Sequence, residues 1–340
     1  MSQRIPLAPA ARRRSRVWWI GLSAPLALMA ASCGSGEAPP PTQGSEEPII
    51  SASPSPTLKA EAVEVPARPG AMEYGLGAAW VSVDVSLSEE NPRIVKIDGR
   101  SKKVTLTIRG GGHAAVGPDA VWVVGEKQFM GRSTLKKVDT KTGKTLLGVA
   151  LEAPYDVDVG PQAVWATVVG GLARVNPTTG EVRKIHFPEG QDSPYHVLAT
   201  DDAVWVSDPN AGYVTRVDPN TNRVKGQVVV SGARELAVAD GDVWVASQDG
   251  QVQRIDPRTV KVVATISQEG VGAGHAITAC DGSIWTSNSN TGIYRIDPAT
   301  NKVELVLPLA NDYLLGIACG ERELWATSSN DTAAYYHRLT

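Results

Sequence analysis

Residues 199–230, ATDDAVWVSDPNAGYVTRVDPNTNRVKGQVVV, decide the fold. A turn leads into an apolar run around Trp205, which breaks at DPN, resumes as YVTRVD, turns again at PNTN and ends in the β-branched run VKGQVVV. Short apolar runs separated by Gly, Pro, Asp and Asn read as strands and turns, and nothing here has a helical period.

The passage recurs along the chain. Seven tryptophans share its context: Trp80 (GAAWVSV), Trp122 (DAVWVVG), Trp165 (QAVWATV), Trp205 (DAVWVSD), Trp244 (GDVWVAS), Trp285 (GSIWTSN) and Trp325 (RELWATS), spaced 42, 43, 40, 39, 41 and 40 residues apart. Downstream comes IVKID, LKKVD, LARVNP, VTRVDP, VQRIDP or IYRIDP, ending at Asp98, Asp139, Asn176, Asp218, Asp256 and Asp297. A β-rich run follows each, and a short apolar run precedes most tryptophans, so each unit holds four strands. One such sheet cannot bury both faces alone; a period near forty therefore predicts an all-β, seven-bladed β-propeller of four-stranded antiparallel blades. The tryptophans are expected to fill the spaces between neighbouring sheets.

The ends carry a check on this. The last unit reads YYHRL, which aligns with IYRI when Arg338 takes the place of Arg295, and then the chain stops at Thr340 without an outer strand. The missing strand is supplied by LKAEAVEVP, residues 58–66, which resembles the outer runs VRKIHFP and VELVLPL. The ring is thus expected to close by pairing residues 58–66 with the last blade, leaving no edge open there.

GPDAVWV, VTRVDPNTNRV and VVATI in that order resemble the YVTN-type propeller repeats and their relatives around virginiamycin B lyase, over residues 58–340. The resemblance implies the propeller fold; such repeats serve binding proteins, scaffolds and a few enzymes.

Upstream of the repeats, Arg4, Arg12, Arg13, Arg14 and Arg16 precede an apolar run at 17–32, short for a membrane span, and small residues lead into Cys33. Ala30-Ala31-Ser32-Cys33 resembles the lipobox of bacterial lipoproteins, which implies lipidation of Cys33; an ordinary cleavable signal is the alternative. Residues 33–57 are rich in Pro, Ser, Gly and Glu and read as a disordered tether. The expected order is a lipoprotein-type signal peptide at 1–32, a tether at 33–57 and the propeller at 58–340. The expected location is the outer face of a bacterial membrane or the periplasm.

Loss of the leader leaves 28 Lys+Arg against 36 Asp+Glu, a net charge near −8. No long basic run survives, which argues against nucleic acid as a partner. A monomer is expected, with an unidentified small polar ligand or a protein as partner besides the membrane.

Nine residues before each Trp lies the entrance of the innermost strand: Ala71, His113, Asp156, His196, Glu235, Ala276 and Gly316. One residue earlier stand Tyr155, Tyr195, Arg234 and His275. Ionisable side chains converging on one channel mouth can bind an anion, a metal or a sugar, or carry acid and base roles; polar channels in propellers also hold such residues with no ligand. Longer loops in the first two blades, 85–92 and 126–133, the latter with Phe129 and Met130, are expected to protrude on the same face.

Under the lyase resemblance, His275 in GHAIT and Glu235 one blade earlier would be the catalytic candidates, with a magnesium ion assisting the opening of a cyclic ester. The chain departs from that family by lacking its Phe-Thr-Glu run after tryptophan and by carrying Glu235 where a second His is expected. Neither a phosphate loop, a nucleophile elbow nor an HExxH helix occurs. The preferred reading is a non-catalytic binding module without an assigned cofactor; a carbon–oxygen lyase is the alternative. Cys280 and Cys319 lie five and six residues before their tryptophans, so they have opposite parity along equivalent strands of adjacent blades. They are expected to form a disulfide, with two buried thiols as the alternative.

Overall fold

The computed structural model describes residues 60–83, 92–125, 132–267, 276–288, 291–308, 314–328, 330 and 332–339. The signal, Cys33, the tether, Phe129, Met130 and His275 lie outside the described residues. The described residues all belong to one compact unit.

The described strands form seven four-stranded antiparallel sheets. In blades 1 to 6 the strands run in sequence order from the innermost outward: residues 69–109, 113–152, 157–186, 197–229, 233–266 and 277–308. The seventh sheet takes three strands from the C-terminus, Leu314–Cys319, Glu323–Ser328 and Ala333–Arg338, and its outer strand, Glu61–Glu64, from the start of the propeller. Glu61 lies opposite Tyr336 and Glu64 opposite Ala333, and Val65 N–H extends the ladder to Thr332 O at 2.8 Å. Closure by the N-terminal strand is therefore as the sequence predicts.

The apolar core is divided into seven clusters, each between two adjacent blades, and each holds one tryptophan. Trp80 packs with Val121 and Val123 of blade 2, Trp122 with Val164 and Ala166 of blade 3, and so on to Trp325, which packs with Val81 and Val95 of blade 1. All seven are buried. The ladder sets a cation across from six of them: Lys96, Lys137, Arg174, Arg216, Arg254 and Arg295, with charge centres 5.3–6.0 Å from the rings. Opposite Trp325 stands Tyr336, not Arg338, so the alignment of Arg338 with Arg295 is two residues out of register. Blade 7 receives its cation across the seam, where Lys102 of blade 1 sits 4.8 Å from the Trp325 ring and 4.2 Å from the Tyr336 ring and pairs with Glu323.

The turn after each third strand follows from the Asp or Asn that ends it. Asp98, Asp139, Asn176 and Asp218 each accept N–H bonds from the residues two and three ahead, while Asp256 and Asp297 accept from the residue two ahead. This is the side-chain-to-backbone closure that makes Asp and Asn turn formers. Hydroxyl bonds from Thr142 to Asp139 and from Thr300 to Asp297, and elsewhere chiefly those N–H bonds, hold the five aspartates below the ordinary carboxyl range, Asp218 at about 2.

Candidate functional site

The innermost strands of all seven blades line one central cavity of about 250 Å³, and Ala71, His113, Asp156, His196, Glu235 and Gly316 border it. Their equivalence has a local cause. Two residues after the tryptophan, five blades carry a hydroxyl that pins the entrance of an innermost strand. Thr167 Oγ1 accepts the Asp156 N–H at 2.9 Å, Ser207 Oγ accepts that of His196 at 3.2 Å, and Ser287 Oγ that of Ala276 at 3.3 Å. Ser82 donates to Ala71 O at 2.9 Å, and Thr327 donates across the seam to Gly70 O at 2.6 Å.

The acidic side chains of the cavity share one geometry, each reaching the next blade. Asp156 Oδ2 accepts the Val197 N–H at 2.9 Å and Glu235 Oε2 that of Ile277 at 3.2 Å. Two residues deeper along equivalent strands, Glu73 Oε2 accepts the Val116 N–H at 2.9 Å and Asp158 Oδ2 that of Ala199 at 2.7 Å. Each carboxyl thus satisfies main-chain groups that an innermost strand would otherwise leave open on the channel. Glu73 and Asp158 were not among the sequence candidates. They stand seven residues before Trp80 and Trp165, where the period of two puts them on the same strand face as the residues nine before.

Neighbouring charges divide these buried acids. Burial pushes Glu235 up to about 8, and with Asp156 nearby it pushes Asp158 up to about 6. Burial and the neighbouring Asp158 hold Glu73 well above the usual glutamate value. Burial acts on Asp156 in the same sense, but His196, His113 and the Val197 N–H together outweigh it and hold this carboxyl below the ordinary aspartate value. At neutral pH Asp156 is therefore ionised and Asp158 largely so, while Glu235 is mostly protonated.

Around Asp156 the sequence candidates come together. His113 Nδ1 lies 3.2 Å from Oδ1 and His196 Nε2 lies 4.0 Å from Oδ2. Burial lowers the His196 pKa, and its Nδ1 is buried with no hydrogen-bond partner among the described residues. The residues one position earlier in blades 3 to 5 join His113 of blade 2 in a stack. The His113 and Tyr155 centroids are 4.9 Å apart, Tyr155 and Tyr195 4.8 Å, and the Arg234 guanidinium lies 5.0 Å from the Tyr195 ring. Burial raises both tyrosine pKa values, so both phenols stay protonated and can donate hydrogen bonds.

No three His, Cys, Asp or Glu side chains among the described residues converge on a point that a metal could occupy. The set His113, Asp156, His196 and Glu235 fails because Glu235 turns to the Ile277 N–H while the two histidines approach different oxygens of Asp156. Beside the cavity, Cys280 and Cys319 form a disulfide that ties the innermost strand of blade 6 to that of blade 7, with Cα atoms 5.2 Å apart.

Fold and site together define a seven-bladed β-propeller with a polar channel mouth built by blades 2 to 5. A family model described as a domain of unknown function, DUF5074, matches residues 191–314. No curated protein matches the chain. Among solved structures, the chain is similar to the β-propeller domain of Cps50 (Swd1) from Myceliophteria thermophila (TM-score 0.67, 10% identity, 82% of this chain and 98% of that one). It is also similar to a catalytically inactive virginiamycin B lyase from Staphylococcus aureus solved with quinupristin (TM-score 0.65, 17% identity, 83% and 100%). A third is BamB from Moraxella catarrhalis (TM-score 0.58, 13% identity, 79% and 82%). At these identities the likeness is one of fold.

Proposed function

We propose that the chain is an exported, membrane-tethered propeller that binds a small polar ligand or a protein segment through its channel mouth. The observation that carries this reading is that His113, Asp156 and His196 border one side of a cavity and are continued by Tyr155, Tyr195 and Arg234, stacked in series from His113. It offers an ionised acid, a guanidinium, tyrosine hydroxyls and an imidazole nitrogen that has no hydrogen-bond partner among the described residues, which suits a ligand carrying several hydrogen-bonding groups. The leader and the lipobox-like Cys33 support the tether.

The test is a thermal-shift screen of the full chain against sugars, peptidoglycan fragments, carboxylates and divalent metals, repeated with His113→Ala and His196→Ala. Under this reading a ligand raises the melting temperature of the wild type, and either substitution removes most of that rise. If every ligand that stabilises the wild type stabilises both variants equally, the mouth is not the site. Labelling with radioactive palmitate, lost in Cys33→Ser, tests the anchor.

A second reading, opening of a cyclic ester by a lyase, is favoured by one observation. Glu235, mostly protonated at neutral pH and bordering the cavity, is suited to give up a proton. Incubation with quinupristin and magnesium, followed by mass spectrometry, tests it: ring opening that is lost in Glu235→Gln supports the lyase, and an unopened ring removes it.

A further inference from the structure

We propose that the outer edge of blade 3 is a docking strip for an acidic segment of a partner protein, bound in extended conformation. The strand Val182–His186 is the last of its sheet, so one edge of its main chain is unpaired. Every blade ends in such an edge; charge singles this one out. Arg183, Lys184 and His186 are exposed on it, and Arg223 and Lys225 of blade 4 are exposed beside it. Lys184 pairs with Glu152 at 3.4 Å and Lys225 with Asp218 at 3.4 Å, while among the described residues Arg183, His186 and Arg223 make no ion pair.

This patch runs against the background of the chain. Without the leader the protein carries eight more acidic than basic side chains, yet here the cations gather and the nearest exposed acids on the strand's own segment, Glu181 and Glu189, stand at its two ends. A groove follows residues 183–188 and residues 222–224, where the outer strand of the next blade begins, and Ile185, Phe187 and Val224 give it an apolar floor. The five residues of the strand span about 17 Å at the usual rise, too long for one small anion and matched to an extended peptide. Main-chain pairing along the edge would supply affinity, the floor would take alternate apolar side chains, and the cations would take the acids between them.

The test uses the full chain and a fluorescein-labelled peptide of about ten residues alternating Glu and Val, read by fluorescence anisotropy. Saturable binding is expected at low ionic strength, weakened by at least ~10-fold near 0.3 M salt. Arg183→Glu with Lys184→Glu and Arg223→Glu should weaken it by at least ~10-fold, whereas Lys261→Glu, an exposed cation on the outer strand of blade 5, should change it by less than ~2-fold. A peptide methylated on alternate main-chain nitrogens should bind the wild type at least ~10-fold more weakly, and this arm holds even if the triple variant fails to fold. The proposal is overturned by absence of saturable binding, by equal loss in Lys261→Glu, or by unchanged binding of the methylated peptide. Preferential capture of phosphatidylglycerol vesicles over the peptide would assign the strip to a lipid surface and overturn it as well.

Discussion

Between the blades, the second-strand tryptophan faces the next sheet in all seven clusters, with an apolar residue of that sheet against it each time. At the mouth, the residue nine before that tryptophan changes at almost every step, from Ala71 through His113, Asp156, His196 and Glu235 to Ala276 and Gly316. The two regions are built on the same strands, so the difference comes from what each position must satisfy. A tryptophan between sheets has one solution, because neighbouring units of a repeat must fit each other to close. A side chain on the channel has to satisfy only the next blade's open N–H and whatever enters the mouth. At this position four of the seven blades, 2 to 5, carry polar groups, and blades 6, 7 and 1 carry Ala or Gly.

The harshest way to break the uniform part is to open the ring. Deleting residues 58–66 removes the outer strand of blade 7 and takes Val63 and Val65 out of the cluster shared with blade 1. The melting transition should lose its cooperativity or fall by more than about 10 °C in differential scanning calorimetry. A truncated chain that melts like the intact one would show that the seventh blade closes without its N-terminal strand. Within a closed ring, Trp165→Ala leaves a cavity between blades 3 and 4 and should cost about 3–5 kcal/mol in urea unfolding.

The mouth should respond to pH instead. Glu235 binds its proton more tightly folded than unfolded, so its contribution to stability is full below about 4.5 and is lost as pH rises to about 8. Asp156 acts in the opposite sense: its contribution is present above the ordinary aspartate value and is lost as pH falls through its lowered folded value. Glu235→Gln keeps an acceptor for the Ile277 N–H but cannot ionise, so it should flatten the decline between pH 6 and 8, an effect on the order of a few kcal/mol. Melting temperatures of wild type and variant across this range measure it, and parallel curves would mean that Glu235 does not titrate there.

The interface was legible in sequence because one bulky residue per sheet repeats with near-constant spacing, and the closing strand because one unit ends a strand short. The mouth was legible only at the register chosen for counting. Counting back nine residues reached His113, Asp156, His196 and Glu235, while Glu73 and Asp158, two residues further along equivalent strands, went unseen. What the acids hold was hidden too, since a carboxyl that bonds an N–H some 41 to 43 residues away leaves no local trace. The register of the last blade was misjudged for a related reason. Arg338 was matched to Arg295 by residue type, whereas ladder position puts Tyr336 there and the cation comes from Lys102, 221 residues from its partner Glu323.

That substitution makes the seam the one interface where uniformity and exception meet, and it yields the smallest and sharpest contrast. Lys137 lies 5.9 Å from the Trp122 ring and pairs with Asp119, whose side chain is 67% exposed, so both interactions are weakened by water. Lys102 sits against two neighbouring rings whose centroids are 5.1 Å apart and pairs with Glu323, whose side chain is 11% exposed; losing it also leaves a largely buried carboxylate with, among the described residues, the exposed Arg338 as its remaining ion-pair partner. Lys102→Met should therefore cost about 2 kcal/mol, and Lys137→Met less than about 1 kcal/mol, in chemical unfolding. Adding Glu323→Gln to Lys102→Met should recover part of the loss, because the stranded charge goes with it. Equal costs for the two lysines would mean that the seam is held by its strand pairing and apolar cluster alone.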